Sequence, residues 1–148
     1  MDNSYKTVCD RGEYALPMGA EPDNIFQPDQ AWWEGLFAAI DARDAKGFLR
    51  FLTPDAQFRF GNAPTIAGPE AIDAAVSGFF AAIAACQHQL LRTWNGSATA
   101  ACEGAVTYTR HDRSTVTVPF ANVFELRGER IAAYRIYIDN SPLFSGSV

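Results

Sequence analysis

The chain has 148 residues, 48% of them apolar, which is enough for one domain whose hydrophobic core needs no disulfide or metal. Its 12 basic and 17 acidic side chains give a net charge of -5 without a basic cluster, so nucleic acid is not an expected partner. The three cysteines, Cys9, Cys86 and Cys102, are widely spaced and indicate neither a disulfide framework nor a zinc knuckle.

The N-terminal region is irregular and carries no targeting pattern. It lacks a basic segment followed by an apolar run, and no apolar stretch approaches the roughly 20 residues of a bilayer crossing. We therefore expect a cytoplasmic protein without membrane contact. Residues 1–27 contain Pro17 and Pro22 and show no periodicity, which predicts an irregular arm. The domain is predicted over residues 28–140, with a tail over 141–148.

Three helices are predicted in the first half of the chain. From Pro28 to about Ala42, apolar residues recur at spacings of three and four, as on one face of a helix. A short second helix is predicted from Ala45 to Leu52, ended by Pro54. The third begins after a loop over residues 61–68, and its apolar positions keep helical spacing over three turns: Ile72, Val76, Phe79, Phe80 and Ile83.

The remaining segments alternate with the period of a strand. One strand is predicted over residues 56–60, and four more over about 87–95, 98–110, 115–126 and 130–139, each joined to the next by a hairpin turn. Three helices and a strand meander predict an α+β fold in which a curved antiparallel sheet wraps around the helices. We expect this arrangement to enclose one mostly apolar pocket.

These segments resemble the nuclear transport factor 2-like superfamily over about residues 30–140. The likeness rests on the stretches AIDARDAKGFLRFLTPDAQFRF, PTIAGPEAIDAAVSGFF and NVFELRGERIAAYRIYID. It implies a cone-shaped, cystatin-like roll of the branch that includes SnoaL-like polyketide cyclases, ketosteroid isomerases and dehydratases. Fold signatures of this kind say little about chemistry. The resemblance also implies a homodimer through the outer sheet face, which would carry Thr117, Pro119, Val123, Arg135 and Tyr137.

Two mechanisms of that superfamily lack their residues in this sequence. Ketosteroid isomerases move a proton with an Asp whose position corresponds to Phe60 here. Their tyrosine and their protonated Asp correspond to positions near Leu36 and Asn122. Limonene epoxide hydrolases use paired carboxylates held by an Arg, and Ile136 stands where one of those Asp residues would be. An epoxide hydrolase-like enzyme is therefore only a further alternative.

Three residues are predicted to be catalytic: His88, Asn122 and Tyr134. Dehydratase-like and cyclase-like members often carry a pocket histidine in a setting similar to the QHQ around His88, and a neutral imidazole can take and return a proton. Asn122 and Tyr134 can orient a substrate oxygen by hydrogen bonding. The alternatives are a structural histidine at a strand edge, an Asn that satisfies the backbone, and a tyrosine that fills the core.

Alternation along the strands, together with the helical stripes, predicts the pocket wall. The expected substrate-contacting residues are Trp33, Phe58, Phe60, Phe80, Val106, Tyr108, Phe120, Phe124, Ile136 and Ile138. Asp41 and Asp44 are interpreted as solvated residues at a helix end, and His111 as an exposed residue beside a turn. Two histidines and no Gly-rich phosphate loop indicate neither a metal nor a cofactor.

The leading hypothesis is a cofactor-independent cyclase, dehydratase or isomerase that acts on a small, hydrophobic, oxygen-bearing molecule, with His88 as general acid and base. The alternative is a non-catalytic ligand-binding or dimerisation domain, in which His88 has no partner inside the pocket. A cavity of roughly 300 Å³ or more, lined by both His88 and Asn122, favours the enzyme. A plugged cone favours the alternative.

Overall fold

The computed structural model describes residues 26–145; nearly all of the predicted N-terminal arm, with Cys9, and the last three residues lie outside the described residues. The elements in chain order are α1 (Gln30–Asp41), α2 (Ala45–Leu49), β1 (Leu52–Phe60), β2 (Ile66–Ala67), α3 (Pro69–Ala82), β3 (Ala85–Gly96), β4 (Thr99–Thr109), β5 (Thr115–Arg127), β6 (Arg130–Ile138) and α4 (Ser141–Phe144). The predicted α+β class is confirmed.

The six strands form one curved, unclosed sheet in the order β2-β1-β6-β5-β4-β3. Strands β3 to β6 make the predicted antiparallel meander. The sheet as a whole is mixed rather than antiparallel, because β1 pairs with β6 in parallel. A long connection through α3 and the meander separates β1 from β6, and parallel pairing requires such a connection.

One face of the sheet is covered by helices. Along β4 and β5 the even-numbered side chains are buried on this face, whereas their odd-numbered neighbours are more exposed. Helix α1 buries Trp33, Leu36 and Phe37 against it, and α3 buries Ile72, Val76 and Phe80. The apolar stripes of the helices and the alternation of the strands therefore meet in one core.

Helix α2 is shorter than the sequence predicts. It ends at Leu49, and Leu52 already pairs with Ile131 of β6. The backbone N–H of Ile131 donates to the Phe51 carbonyl at 2.7 Å, so pairing with β6 takes the chain out of the helix. Pro54 consequently lies within β1, in the irregular stretch between Leu52 and Gln57 where the strand misses regular pairing and a missing N–H is tolerated.

Curvature comes from irregular pairing at three points, including a register shift in β3 between Leu90 and Arg92. A bulge of this kind bends a strand and increases its twist. Gly104 of β4 lies opposite this point and pairs with Leu90. A Cβ atom at residue 104 would overlap the Gln89 carbonyl oxygen, so the close approach of the two backbones requires glycine.

We expect Gly104→Ala to lower the free energy of unfolding by about 1–3 kcal/mol, because the added methyl forces β3 and β4 apart. Urea denaturation followed by circular dichroism measures the change. The matched control is Gly78→Ala on α3, where a Cβ atom meets open space. That variant should gain about 0.5–1 kcal/mol from helix propensity. Equal stability of the wild type and Gly104→Ala would contradict the close approach.

Candidate functional site

The sheet and the helices enclose a cavity of about 260 Å³, slightly below the size expected for the enzyme hypothesis. Its wall is largely aromatic and aliphatic. Two lining residues, Ala63 and Ala75, are exposed, which shows that the cavity reaches the surface between the loop after β1 and helix α3. The lining residues are Ile40, Phe48, Phe58, Phe60, Ala63, Ala75, Val76, Phe79, Phe80, Cys86, His88, Tyr108, Phe120, Asn122, Tyr134, Ile136 and Ile138.

Most of the residues assigned to the pocket from the sequence line this cavity. They come from β1, α3 and each long strand of the meander, which converge on it from different sides. The residues brought together are His88, Asn122, Tyr134, Phe58, Phe60, Phe80, Tyr108, Phe120, Ile136 and Ile138.

Trp33, Val106 and Phe124 were expected in the wall and do not line the cavity. Trp33 stacks on Phe124 at 5.6 Å between ring centroids, and Phe124 lies 4.3 Å from the Tyr134 ring. These rings fill the core behind Tyr134. Val106 is fully buried on the same sheet face. Alternation identifies the buried face of a strand, but it does not identify which positions along that face remain open to a cavity.

His88 is held by Asp41, which comes from the last turn of α1. The imidazole Nδ1 lies 2.6 Å from one carboxylate oxygen of Asp41, and the backbone N–H of His88 donates to the other at 3.0 Å. The rings of Phe37 and Phe120 flank the imidazole, with centroids 5.0 and 5.2 Å away. Among residues 26–145, Nε2 has no hydrogen-bond partner, and His88 lines the cavity. Asp41 and His88 thus form a dyad at the cavity wall.

Asp41 occupies an unfavourable place for an acid. It is the final residue of α1, where the helix dipole is negative and disfavours a carboxylate. The two hydrogen bonds from His88 offset this repulsion. Asp41 is therefore a positioning group for His88 and not the solvated residue expected from the sequence, whereas Asp44 simply caps α2 by accepting from the Gly47 N–H.

Cys86 lies two residues before His88 and on the same face of β3. Its thiol is within 3.5 Å of the Ile40 carbonyl oxygen and 3.8 Å of an Asp41 carboxylate oxygen. Burial raises the pKa of the Cys86 thiol to about 12, and the charge of Asp41 adds to that rise. The oxygen, sulfur and nitrogen donors of Asp41, Cys86 and His88 all lie within 4.8 Å of one another, which makes them the group of described residues able to hold a metal.

Asn122 and Tyr134 form a second polar group in the cavity wall. Asn122 Nδ2 donates to the Tyr134 hydroxyl at 3.3 Å, and Asn122 is only 2% exposed. Its Oδ1 atom is buried and has no hydrogen-bond partner among the described residues. Burial raises the pKa of Tyr134 well above its usual value, so the phenol stays protonated. The pair therefore offers one unused acceptor and one hydroxyl proton.

Sequence reasoning missed two chemically relevant residues, Asp41 as the partner of His88 and Cys86 beside them. A signal for Asp41 was present, since Asp41 lies in the stretch AIDARDAKGFLRFLTPDAQFRF, which carries part of the family resemblance. His111, in contrast, is exposed as expected, and its Nε2 lies 2.9 Å from the Ala81 carbonyl oxygen.

The fold defines the class of protein, because solved structures of the nuclear transport factor 2-like fold superpose on it. A protein of unknown function with that fold from Burkholderia pseudomallei has a TM-score of 0.70 and 16% identity, covering 78% of this chain and 93% of its own. A candidate polyketide cyclase from Xanthomonas campestris has a TM-score of 0.67 and 16% identity, covering 78% and 93%. An epoxide hydrolase from Mycobacterium tuberculosis, similar to limonene epoxide hydrolase, has a TM-score of 0.65 and 18% identity, covering 78% and 86%.

The chain belongs to the SnoaL-like domain family, whose pattern matches residues 33–134. No curated protein matches the sequence. Family and cavity together support a small-molecule-binding protein of the nuclear transport factor 2-like fold. Within residues 26–145, none of the helices has the length and apolar character needed to cross a membrane.

We expect alkaline pH to destabilise the protein between about pH 9 and 12. Burial raises the pKa of Cys86, Cys102 and Tyr108 to about 12, from usual values of 9 to 10. The unfolded chain therefore loses these protons first, and the stabilisation present below pH 9 is lost as the pH rises toward the folded-state values. Urea unfolding at a series of pH values measures this loss.

The control for this prediction is Cys102→Ala. Removing one titrating thiol should reduce the slope of unfolding free energy against pH by up to about 1.4 kcal/mol per pH unit. A cavity left by the substitution lowers stability at every pH and leaves the slope alone. An unchanged slope in Cys102→Ala would show that this thiol does not ionise differently in the two states.

Proposed function

We propose that the protein is a cofactor-independent enzyme of the cyclase, dehydratase or isomerase kind, which moves a proton next to a carbonyl group in a small hydrophobic molecule. The single observation that carries this proposal is the Asp41–His88 dyad at the wall of an apolar cavity. A partly exposed carboxylate that orients a largely buried histidine beside a ligand-sized space is an arrangement suited to general acid-base catalysis.

In this mechanism Asp41 sets the tautomer of His88. With the proton on Nδ1 and donated to the carboxylate, Nε2 keeps its lone pair and faces the substrate as a base. When Nε2 takes a proton from carbon or oxygen, the imidazolium that forms lies against the negative charge of Asp41 and is stabilised. The same proton can then be returned to another atom of the substrate, which completes an isomerisation, or to a leaving hydroxyl group, which completes a dehydration.

Asn122 and Tyr134 would hold the substrate oxygen. Because Tyr134 keeps its proton and already accepts from Asn122, its O–H is free to donate to an oxygen that gains negative charge during proton removal. Asn122 Oδ1 has no partner among the described residues and would accept from a substrate hydroxyl once a small movement of the side chain exposes it to the cavity. The apolar wall, to which phenylalanine is the most frequent contributor, would exclude water and strengthen both interactions.

The alternatives are less well supported by the same geometry. A non-catalytic domain leads to the expectation that His88 has no partner inside the pocket. Asp41 binds His88 from outside the cavity lining, and the case for the enzyme is that this contact orients a ring that lines the cavity. An epoxide hydrolase of the limonene type needs paired carboxylates at the ligand, and no carboxylate lines the cavity among the described residues. The epoxide hydrolase with a similar structure shares 18% sequence identity with this chain, and the similarity therefore shows a common fold only.

Deuterium uptake from D2O into 2-tetralone, followed by NMR, tests proton transfer directly. This bicyclic ketone is compact and apolar and carries an acidic C–H beside its carbonyl. We expect exchange to fall by about 100-fold or more in His88→Gln, because the base is lost. In Asp41→Asn the exchange rate should fall by about tenfold or more, because an amide can accept from or donate to His88 Nδ1 and no longer selects one tautomer of the ring.

The matched control is His111→Gln, which removes the other, exposed histidine and should leave exchange at the wild-type rate. Saturation-transfer NMR on the same samples separates loss of exchange from loss of ligand binding. Wild-type exchange in His88→Gln would refute the proposed acid-base role.

A homodimer through the outer face of the sheet accompanies this function. That face lacks a helical cover among the described residues, and Trp94 and Tyr137 are 48% and 49% exposed on it. Small side chains between them, Ala101, Ala105 and Ala121, keep the surface flat. This face mixes exposed aromatic rings and small apolar side chains with charged ones, such as Glu103 opposite Ala121 and the ion pair of Arg135 with Glu125, and a mixture of this kind fits a protein interface.

Ala121→Arg, at the centre of this outer face, should convert a dimer into a monomer, since a long charged side chain placed between the two sheet faces must lose its hydration and holds them apart. Light scattering coupled to size-exclusion chromatography measures the mass. Ala74→Arg on the exposed side of α3 is the control and should leave the mass unchanged. A monomeric wild type, or a dimeric Ala121→Arg variant, would exclude this interface.

A further inference from the structure

The cluster beside the cavity combines three kinds of metal donor. Asp41 supplies a carboxylate oxygen, Cys86 a sulfur and His88 a ring nitrogen, and the three atoms lie within 4.8 Å of one another. Magnesium and calcium prefer oxygen ligands alone, whereas zinc readily takes oxygen, nitrogen and sulfur together. The chemistry of this donor set therefore points to zinc or another thiophilic divalent cation.

The donor atoms of Asp41, Cys86 and His88 can reach the spacing of a tetrahedral site if the His88 ring moves slightly away from Asp41. With metal–ligand bonds of about 2.0–2.3 Å, neighbouring donors in a tetrahedral site lie about 3.3–3.8 Å apart. The Cys86 sulfur is already 3.8 Å from the Asp41 oxygen. The His88 nitrogen is 2.6 Å from that oxygen, as befits a shared proton, and must move back by roughly 0.7 Å to meet the tetrahedral spacing.

The surroundings also suit a metal with one open position. The backbone N–H of His88 holds the second oxygen of Asp41 at 3.0 Å, which fixes the carboxylate while the first oxygen faces the sulfur and the nitrogen. Cys86 and His88 both line the cavity, so a fourth ligand can enter from it. A carboxylate and a thiolate together balance the charge of a divalent ion in this largely apolar wall.

We propose that Asp41, Cys86 and His88 form a binding site for Zn²⁺ whose occupation switches off proton transfer by His88. The ion takes the place of the proton on His88 Nδ1, which is transferred through solvent to Nε2, and of the thiol proton of Cys86, which leaves to solvent. Neutral imidazole bound through Nδ1 carries its remaining proton on Nε2, so the nitrogen that faces the substrate becomes a donor and can no longer act as a base. This switching step rests on the proposed function, whereas metal binding does not.

Cobalt substitution tests binding without any assay of activity. The experiment titrates Co²⁺ into the full chain carrying Cys9→Ser, so that the remaining thiols are those of Cys86 and Cys102. We expect one equivalent to give a thiolate-to-cobalt charge-transfer band and the intense visible bands of four-coordinate Co²⁺, both displaced by Zn²⁺. Cys86→Ser should abolish the charge-transfer band and Asp41→Asn should weaken affinity about 100-fold. Cys102→Ser is the matched control and should keep the band.

Absence of the band, or its persistence in Cys86→Ser, would overturn the metal site. Circular dichroism of each variant shows whether the fold is retained, and Asp41→Asn provides a second ligand substitution that leaves the buried thiols in place.

The switch is tested separately. One equivalent of Zn²⁺ should lower the rate of deuterium exchange into 2-tetralone by about tenfold or more. Stoichiometric binding with undiminished exchange would overturn the switch alone. If no exchange occurs even without metal, the proposed function fails and the cobalt result still decides the site.

Discussion

The contact between Asp41 and His88 is the interaction on which the site depends, because it joins the end of the first helix to the start of the meander across 47 residues of sequence. Both carboxylate oxygens are engaged, one by the imidazole and one by the backbone of the same residue. The orientation of the ring is therefore fixed by two rigid elements rather than by a loop. Separately, a carboxylate at a helix C-terminus and a half-buried histidine would each be unfavourable, whereas together each offsets the cost of the other.

The cavity is the second constraint, and it follows from the curvature of the sheet. Register shifts bend the strands, and the aromatic side chains on the helix-covered face of the sheet line a space of about 260 Å³. Protein interiors are otherwise close-packed, and atoms at an unfilled wall lose dispersion contacts. Elsewhere the same core is dense, as the stack of Trp33, Phe124 and Tyr134 shows. The unfilled volume is thus local, and it adjoins the groups that can do chemistry.

Sequence periodicity was sufficient for the fold but only partly for the site. The stripes of α1 and α3 and the alternation of β5 and β6 placed Asn122, Tyr134 and Ile136 on one face, since period and burial are local properties of a strand or helix. The partnership of Asp41 with His88 could not be read in the same way, because it depends on where two distant elements meet. Pro54 misled the prediction of α2 because tertiary pairing with β6, rather than the proline, ended that helix. Alternation also does not show which positions along a buried strand face border the cavity, which is why Val106 was expected in the cavity wall and lies in the packed core instead.

The polar groups of the wall constrain any ligand in combination rather than singly. In the proposed mechanism His88 presents a lone pair from β3, while Asn122 and Tyr134 present an acceptor and a hydroxyl proton from β5 and β6. A purely apolar ligand would leave the buried Asn122 oxygen unpaired, at a cost of about 1–3 kcal/mol. On the proposed function, a ligand with a hydroxyl or enol group beside a carbonyl would satisfy that oxygen and the tyrosine at once, within the cavity that His88 also lines. On this proposal the aromatic lining would supply affinity, and the two polar groups would decide which apolar molecules fit.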